Sequence, residues 1–140
     1  MIIVDTNVVS ELMRASPEIA VRDWLLTQDA QELHTTAISL AEIRYGIERL
    51  PGGRRRDLLR TTANDVFAAF ASQILPFDAA AAQHYASIVT TRDEAGLPID
   101  GFDAQVAAIC SVHKATLATR NVKDFRGTGI KMTNPWQRAD

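Results

Sequence analysis

The sequence predicts an α/β fold in which a short, mostly parallel central sheet is flanked by helices on both sides. Short β-branched or apolar runs alternate with longer segments whose apolar residues recur at helical spacing, and this alternation is typical of parallel sheets covered by helices. The chain has 140 residues, of which 46% are hydrophobic and 23% are charged. We therefore expect one domain that spans residues 1–140.

The predicted strands are short and are distributed along the whole chain. Residues 2–4 form a β-branched run that ends at Asp5, which is typical of a buried central strand. The other predicted strands span residues 33–38, 74–75, 116–118 and 130–133.

Helices are predicted between these strands from their apolar spacing and from their capping residues. Ser39 and Glu42 match the pattern of a capping box, which opens a helix. Asp78 and Asp100 are expected to cap two later helices. The predicted helices span residues 8–13, 18–26, 39–50, 54–72, 79–95 and a segment that starts near residue 100.

Composition argues against several other classes of protein. The single cysteine, Cys110, allows neither a disulfide framework nor a multi-cysteine zinc site, and it favours a reducing compartment. No signal peptide is visible, and no apolar run reaches the ~18 residues of a membrane span, so we expect a cytoplasmic protein without a membrane partner. The net charge of −2 differs from that of a strongly basic nucleic-acid binder, although a metal ion could supply the positive charge that a nucleic-acid substrate needs.

Three acidic residues are predicted to lie beyond the carboxyl ends of the strands, where parallel sheets bind their ligands. Asp5 ends the first strand, Glu42 lies in the predicted first turn of the helix after the second strand, and Asp103 lies in the first turn of the helix before the fourth. Helical spacing places Asp103 beside Phe102 and Val106 on an apolar face. Its carboxylate is therefore expected to be poorly solvated.

Carboxylates that converge repel one another by ~4 kcal/mol at 4 Å and an effective dielectric of 20, unless a cation or a raised pKa relieves them. Oxygen ligands favour Mg²⁺ or Mn²⁺, which suit phosphoryl chemistry. Asp5, Glu42 and Asp103 are thus candidate metal ligands. Each also has a structural alternative, since Asp5 could cap a helix, Glu42 could complete the Ser39 capping box and Asp103 could complement a helix dipole.

Six short segments form an ordered set along the chain. They are Met-Ile-Ile-Val-Asp-Thr-Asn at residues 1–7, Thr-Ala-Ile-Ser-Leu-Ala-Glu-Ile-Arg-Tyr-Gly at 36–46, Ile-Leu-Pro-Phe-Asp at 74–78, Asp-Ala-Gln-Val-Ala-Ala at 103–108, Leu-Ala-Thr-Arg-Asn-Val-Lys-Asp-Phe at 117–125 and Asn-Pro-Trp at 134–136. Together they resemble the motifs of the PIN-domain ribonucleases, in particular the VapC and FitB-like toxins of bacterial toxin–antitoxin pairs. The resemblance covers essentially the whole chain.

This resemblance implies a PIN fold and a Mg²⁺-dependent endoribonuclease, in which Mn²⁺ could replace Mg²⁺. Asp5, Glu42 and Asp103 would form the catalytic and metal-binding site. The fourth acidic position of the family falls on Asn121, which would complete the catalytic set without adding charge. Because the site would then carry one negative charge fewer, the number of metal ions is left open. Asp124 would supply part of the missing negative charge.

The resemblance also implies how substrate and partners bind. Thr6, Asn7, Thr119 and Arg120 are candidate substrate-positioning residues, with helix capping as an alternative for the first two. Similar toxins are homodimers bound by a small antitoxin, so we expect an RNA substrate, a cognate antitoxin that blocks the site, a homodimer, and DNA contact only through the antitoxin. For the basic cluster at residues 54–60 we favour a solvated helix face over an RNA-binding role.

Domains of other classes also gather acids around Mg²⁺ at strand ends. A haloacid-dehalogenase-type phosphatase requires a second Asp two positions after the first, where this chain has Asn7. A response-regulator receiver domain requires a pair of acids at the first strand, where this chain has only Asp5. A non-catalytic RNA- or protein-binding module of the PIN fold is disfavoured because all three core acids are present.

Overall fold

The computed structural model describes residues 1–137, which contain five strands and six α-helices, with a pair of α-helices after each of the first three strands. The strands are β1 (Ile2–Val4), β2 (Leu33–Thr36), β3 (Ile74–Leu75), β4 (Thr116–Ala118) and β5 (Lys131–Thr133). The α-helices are α1 (Thr6–Leu12), α2 (Ile19–Leu26), α3 (Ala37–Glu48), α4 (Arg54–Phe70), α5 (Ala79–Glu94) and α6 (Gly101–His113). Short 3₁₀ helices occupy Ala30–Glu32, Ala71–Gln73 and Val122–Phe125.

The strands form one sheet in the order β3-β2-β1-β4-β5. Every pairing between them is parallel, which confirms the predicted class of sheet. Strand β1 lies at the centre, where Ile3 is opposite His34 of β2 and Leu117 of β4. The carboxyl ends of β1 and β4 therefore lie side by side at one edge.

Helices cover both faces of this sheet, as predicted. Side chains alternate between the faces of a strand, so Ile3 and Leu117 pack with α5 and α6. Val4 and Ala118 pack on the opposite face with α1, α3 and α4. All four of these strand residues are fully buried. The two central strands therefore hold the two hydrophobic clusters together.

Several element boundaries differ from the sequence expectation by one or two residues, and the local backbone and capping residues explain three of them. Helix α1 begins at Thr6 rather than at residue 8, since the Asp5 side chain accepts its first N–H. Strand β2 ends at Thr36, which caps α3, rather than at residue 38. Helix α4 ends at Phe70, and Ala71 then adopts a φ of 49°, which a helix cannot continue through.

Helix α6 is buried along most of its length, and Ala104, Ala107 and Ile109 are fully buried. Cys110 also lies in this core. The polar end of the helix, which carries Asp103, is thereby held against the carboxyl edge of the sheet. None of the helices within residues 1–137 has the length and apolar composition needed to cross a membrane.

Candidate active site

The candidate site is a cavity of about 380 Å³ at the carboxyl edge of the sheet. Because β1 and β4 are adjacent and parallel, Asp5 and Thr119, which follow them, emerge side by side. Helix α3 brings Glu42 to this place, and helix α6 brings Asp103. The cavity is lined by the predicted residues Asp5, Thr6, Asn7, Glu42, Asp103, Arg120 and Asn121, together with Ser10, Glu11 and Trp136. The structure thus gathers every predicted site residue except Thr119, which lies directly behind Asp5.

Hydrogen bonds fix both carboxylate oxygens of Asp5, which is 6% exposed. The Thr6 N–H donates to Oδ1 at 2.8 Å, and the Thr119 hydroxyl donates to Oδ2 at 2.9 Å. The first bond caps α1, so the structural alternative for Asp5 is correct and coexists with its place in the cavity. The carboxylate is therefore held in one orientation before any ligand binds.

Glu42 lies in the second turn of α3, since the helix begins at Ala37. The expectation that Glu42 completes a Ser39 capping box in the first turn is wrong, because Thr36 caps the helix by accepting the Ser39 N–H at 3.1 Å. Instead, the Thr6 hydroxyl donates to Glu42 Oε1 at 3.1 Å. The same hydroxyl lies 3.0 Å from Ser39 Oγ, so Glu42 is oriented by helix α1.

Asp103 lies in the first turn of α6, as predicted, and Asp100 caps the helix. Asp100 Oδ1 accepts the N–H groups of Phe102 at 2.9 Å and Asp103 at 3.4 Å, so the Asp103 carboxylate is left for the cavity. Phe102, which was expected on the apolar face, is 52% exposed. It lies about 200° around the helix from the fully buried Ala104, which turns it toward solvent.

The pKa values of all three carboxyl groups are raised. For Asp5 and Glu42 the main cause is burial, which hydrogen bonds from neighbouring threonines oppose. Burial, followed by the charges of four neighbouring carboxylates, raises the pKa of Asp103 to about 7. The negative charge in the cavity is therefore poorly compensated, and a bound cation would restore the charged forms.

The donor set of the cavity fits a hard divalent cation. Asp5, Glu42 and Asp103 offer carboxylate oxygens and Asn121 offers an amide oxygen, which suit Mg²⁺ or Mn²⁺ better than Zn²⁺. Within residues 1–137, no three His, Cys, Asp or Glu side chains are already gathered into a metal cage. Mg²⁺ is usually held by one or two carboxylates, with waters and substrate phosphates as its other ligands. The open arrangement fits that mode of binding.

A hydrogen-bond network behind the acids contains several of the predicted substrate-positioning residues. The Thr119 hydroxyl, besides donating to Asp5, accepts from Asn7 Nδ2 at 3.3 Å and from the Asn121 N–H at 3.1 Å. Asn7 Oδ1 accepts the Arg120 N–H at 3.3 Å. Thr119 is fully buried, so its hydroxyl cannot touch RNA. It orients Asp5 instead, which corrects the expectation that it positions substrate.

Asn121 and Asp124 lie in the segment that follows β4. Asn121 is exposed and lines the cavity, so a neutral amide stands at its mouth. Asp124 lines a second, adjacent cavity of about 210 Å³, together with Asp100 and Asp103. Its charge helps to raise the pKa values of Asp5 and Asp103. Asp124 therefore acts on the main cavity electrostatically, from beside it.

Sequence reasoning missed two polar residues of α1. Ser10 and Glu11 line the cavity because they lie one helical turn after Thr6 and Asn7. A prediction that began α1 at its Asp5 cap could have found them from this spacing. Glu11 is 7% exposed, and its Oε1 accepts the Glu18 N–H at 2.9 Å, so it also ties the segment before α2 to α1.

Arg92 was also missed, because only the tertiary fold brings it to the site, and Trp136 was noted only as part of the Asn-Pro-Trp segment, without a role in the site. The buried Arg92 guanidinium donates to the carbonyl oxygens of Leu97 at 2.5 Å, Asp124 at 2.9 Å and Arg126 at 2.6 Å. It thus links the segment that leads into α6 with the segment that follows β4. An arginine that bonds backbone carbonyls has no sequence signature, since its partners are not side chains.

The arginines at residues 54–60 lie at the start of α4 and do not line the main cavity. Arg60 donates to both carboxylate oxygens of Glu48, at 2.7 and 2.6 Å, and lies 3.6 Å from Asp57. Exposed pairs of this kind contribute little to stability. The ion pairs of Arg60 agree with the solvated helix face that the sequence favoured, whereas Arg56 is half-buried and donates to the Leu50 carbonyl.

Comparison with known proteins places this chain in one family. Residues 2–131 match the family model for the PIN domain. The chain belongs to the PIN-domain family. It is 36% identical to VapC ribonuclease Y4jK of Sinorhizobium fredii over 140 residues, which cover 99% of this chain and 100% of the relative. It is 34% identical to toxin FitB of Neisseria gonorrhoeae over 137 residues, which cover 97% of this chain and 99% of the relative.

A solved structure shows the same similarity in three dimensions. FitAB bound to the IR36 DNA fragment matches this PIN domain with a TM-score of 0.93 and 33% identity, over 100% of this chain and 99% of that chain. The matches confirm the predicted fold class and the resemblance to VapC and FitB toxins. They rule against the phosphatase and receiver-domain alternatives, because a PIN domain accounts for nearly the whole chain.

Proposed function

We propose that this PIN domain is the toxin of a type II toxin–antitoxin pair, and that it is a metal-dependent endoribonuclease that hydrolyses RNA phosphodiester bonds. The observation that carries the proposal is the cavity lined by Asp5, Glu42 and Asp103, whose pKa values are all raised. Similarity over almost the full length to a VapC ribonuclease and to the FitB toxin supports the same activity.

Asp5, Glu42 and Asp103 would hold Mg²⁺, or Mn²⁺ in its place. Such an ion neutralises substrate phosphate, activates water for attack and stabilises the leaving oxygen. The oxygen-only donor set supports this choice of metal. Asn121 would be the neutral fourth member of the set, at the mouth of the cavity.

The other polar residues orient the acids. Thr119 and the Thr6 N–H fix the two oxygens of Asp5, and the Thr6 hydroxyl holds Glu42. Acids that are already oriented need little reorganisation when substrate charge arrives, which is the main electrostatic advantage of a folded active site. The charge of Asp103 at neutral pH depends on a bound cation, since burial and neighbouring carboxylates raise its pKa to about 7.

The activity is tested by incubating the purified, antitoxin-free protein with total bacterial RNA and Mg²⁺, and by sequencing the new RNA ends. We expect discrete new ends with Mg²⁺ or Mn²⁺, and none in EDTA or with folded Asp103→Asn protein. Undiminished cleavage in EDTA would indicate a metal-free mechanism. A folded wild-type protein that yields no new ends with either ion would favour the non-catalytic module.

We infer further that the protein acts in the cytoplasm as a homodimer, and that a small cognate antitoxin blocks the cavity. The similarity to the FitAB complex on DNA supports a two-protein system. We assign DNA contact to the antitoxin, because this chain carries a net charge of −2 and lacks the basic excess of a DNA-binding protein. Expression of the toxin alone should arrest bacterial growth, and Asp103→Asn should abolish the arrest. Light scattering should give twice the chain mass.

A further inference from the structure

Arg120 and Trp136 form a stacked pair at the acidic cavity. The guanidinium carbon of Arg120 lies 5.1 Å from the centre of the Trp136 ring, within the ~6 Å range of a cation–π contact. Among the residues that line the cavity, Arg120 is the only cation and Trp136 is the only aromatic residue. The Trp136 ring therefore positions Arg120, the only positively charged side chain that lines the cavity.

Both members of the pair are anchored to the fold. The Arg120 N–H donates to Asn7 Oδ1 at 3.3 Å, which ties its backbone to helix α1. The Trp136 N–H donates to Asn134 Oδ1 at 3.0 Å, and the ring packs against the hydrophobic cluster shared by α1, α3 and α4. The indole is thus a fixed surface, whereas the exposed Arg120 side chain would otherwise sample many rotamers.

The negative charge of the cavity indicates a function for the Arg120–Trp136 pair. Four acidic residues, Asp5, Glu11, Glu42 and Asp103, line it, and an RNA strand adds a negative charge at every phosphate. A metal ion at the carboxylates would compensate charge only near itself. A guanidinium presents planar N–H donors that match phosphate oxygens. The contact with the ring holds the Arg120 guanidinium beside the cavity without using a carboxylate as its partner.

We propose that Trp136 holds the Arg120 guanidinium at the mouth of the acidic cavity as a clamp for a backbone phosphate of the RNA substrate. Arg120 contacts the phosphate, and Trp136 is a positioning residue that acts through Arg120. This inference rests on the proposed ribonuclease function and adds a specific phosphate subsite to it.

Two further observations support this assignment. Within residues 1–137, no ion pair involves Arg120, whereas Arg60 of the basic cluster is held by Glu48. The Trp136 indole Nε1 is buried without a hydrogen-bond partner in the described part of the chain. The face of the ring, rather than its N–H, is therefore the part that the pair uses.

The test measures binding of a fluorescein-labelled oligouridylate by anisotropy at several salt concentrations, in Mg²⁺ and in an Asp103→Asn background. That background prevents cleavage and removes one repulsive carboxylate. Arg120→Ala should reduce the slope of log K against log[salt] by about 0.7, the value expected for one phosphate contact on a single strand. Trp136→Leu should reduce the slope by a similar amount, because it releases the guanidinium.

A double-mutant cycle separates a clamp from a direct contact between Trp136 and RNA. Adding Trp136→Leu to Arg120→Ala should cause no further loss of affinity, and such a loss would overturn the proposal. Trp136→Phe keeps a weaker aromatic face and removes the unpartnered indole donor, so its slope should lie between those of the parent and Trp136→Leu. This variant keeps the test decisive if Trp136→Leu fails to fold.

Arg49→Ala is the matched control, because Arg49 stacks on Tyr45 at 5.8 Å and does not line the cavity. It should leave the salt slope unchanged, and an equal reduction would show that overall charge, not the clamp, sets binding. Cleavage by the protein with Asp103 intact is measured in parallel. If the protein with Asp103 intact shows Mg²⁺-dependent cleavage but Arg120→Ala leaves the salt slope unchanged, only the phosphate clamp is overturned. A wild-type protein that neither cleaves nor binds RNA overturns both proposals.

Discussion

The Thr119 hydroxyl donates to Asp5 Oδ2 at 2.9 Å, across 114 positions of sequence. The bond joins the residues that follow the two central strands, β1 and β4, which pair in parallel. The orientation of an acid in the candidate site therefore depends directly on the register of the sheet. Since Thr119 is fully buried, water cannot substitute for its hydroxyl.

Thr119→Val tests this bond, because it keeps the shape of the side chain and removes the hydroxyl. Asp5 loses a hydrogen bond that lowers its pKa, and Asn7 Nδ2 and the Asn121 N–H lose an acceptor. We expect a loss of about 1–3 kcal/mol in urea unfolding and weaker Mn²⁺ binding by calorimetry. Thr119→Ser, which restores the hydroxyl, should recover most of the metal affinity. Wild-type metal affinity in the Val variant would show that Thr119 does not orient Asp5.

The sequence was sufficient to predict the sheet and the positions of the acids, because these depend on local patterns. Ile3 and Val4 are fully buried on opposite faces of the sheet, and the apolar run at residues 2–4 marks the central strand. The Asp100 cap and the spacing to Asp103 determine the start of α6. Parallel strands place their carboxyl ends at one edge, so Asp5 could be assigned to the site before its neighbours were known.

Other features of the site depend on long-range contacts that no local pattern encodes. Glu42 fits a capping box, yet Thr36 caps the helix and Thr6 binds Glu42 from a distant element. Arg92 bonds carbonyl oxygens, so no acidic partner indicates it. Trp136, three residues after the end of β5, lines the cavity together with residues of α1, α3 and α6. Each of these errors or omissions reflects a tertiary partner that was absent from the local sequence.

Asp103→Asn should make the stability of the metal-free protein less dependent on pH. The pKa of Asp103 is raised from 3.8 to about 7 in the folded state, so the folded protein binds this proton more tightly than the unfolded chain. The wild-type protein therefore loses stability as pH rises from about 4 to about 7, and the loss is constant above that range. In EDTA, the thermal midpoint of the variant should exceed that of wild type more at pH 8 than at pH 5.

Asp78→Asn is the control for this comparison. Asp78 caps α5, and Asn caps helices about as well as Asp. Its substitution should therefore shift the midpoint equally at both pH values. If the Asp103→Asn and wild-type midpoints differ by the same amount at pH 5 and pH 8, Asp103 does not carry a raised pKa in the folded protein.

Arg92→Met should destabilise the fold and loosen the two segments that border the site. Arg92 is 6% exposed, and its loss leaves the carbonyl oxygens of Leu97, Asp124 and Arg126 without this donor. We expect a loss of about 3 kcal/mol in chemical unfolding and faster amide exchange over residues 97–100 and 122–126. Arg22→Met, at an exposed pair with Asp23, should change stability by less than about 0.5 kcal/mol. Equal effects of the two substitutions would exclude a structural role for Arg92.

Asn121→Asp should tighten metal binding in the free protein. Asn121 lines the cavity with a neutral amide, and a carboxylate ~4 Å from a divalent cation adds about 2 kcal/mol of attraction even at the dielectric of water, before desolvation is subtracted. We therefore expect Asn121→Asp to bind Mn²⁺ roughly tenfold more tightly by calorimetry. The wild-type protein should bind one ion, because with only three carboxylates a second ion would depend on substrate phosphate. Asn64→Asp adds the same charge on the exposed face of α4 and should leave the affinity unchanged. Two equivalent tight sites in wild type, or weaker binding after Asn121→Asp, would show that residue 121 is not the neutral fourth position of the metal site.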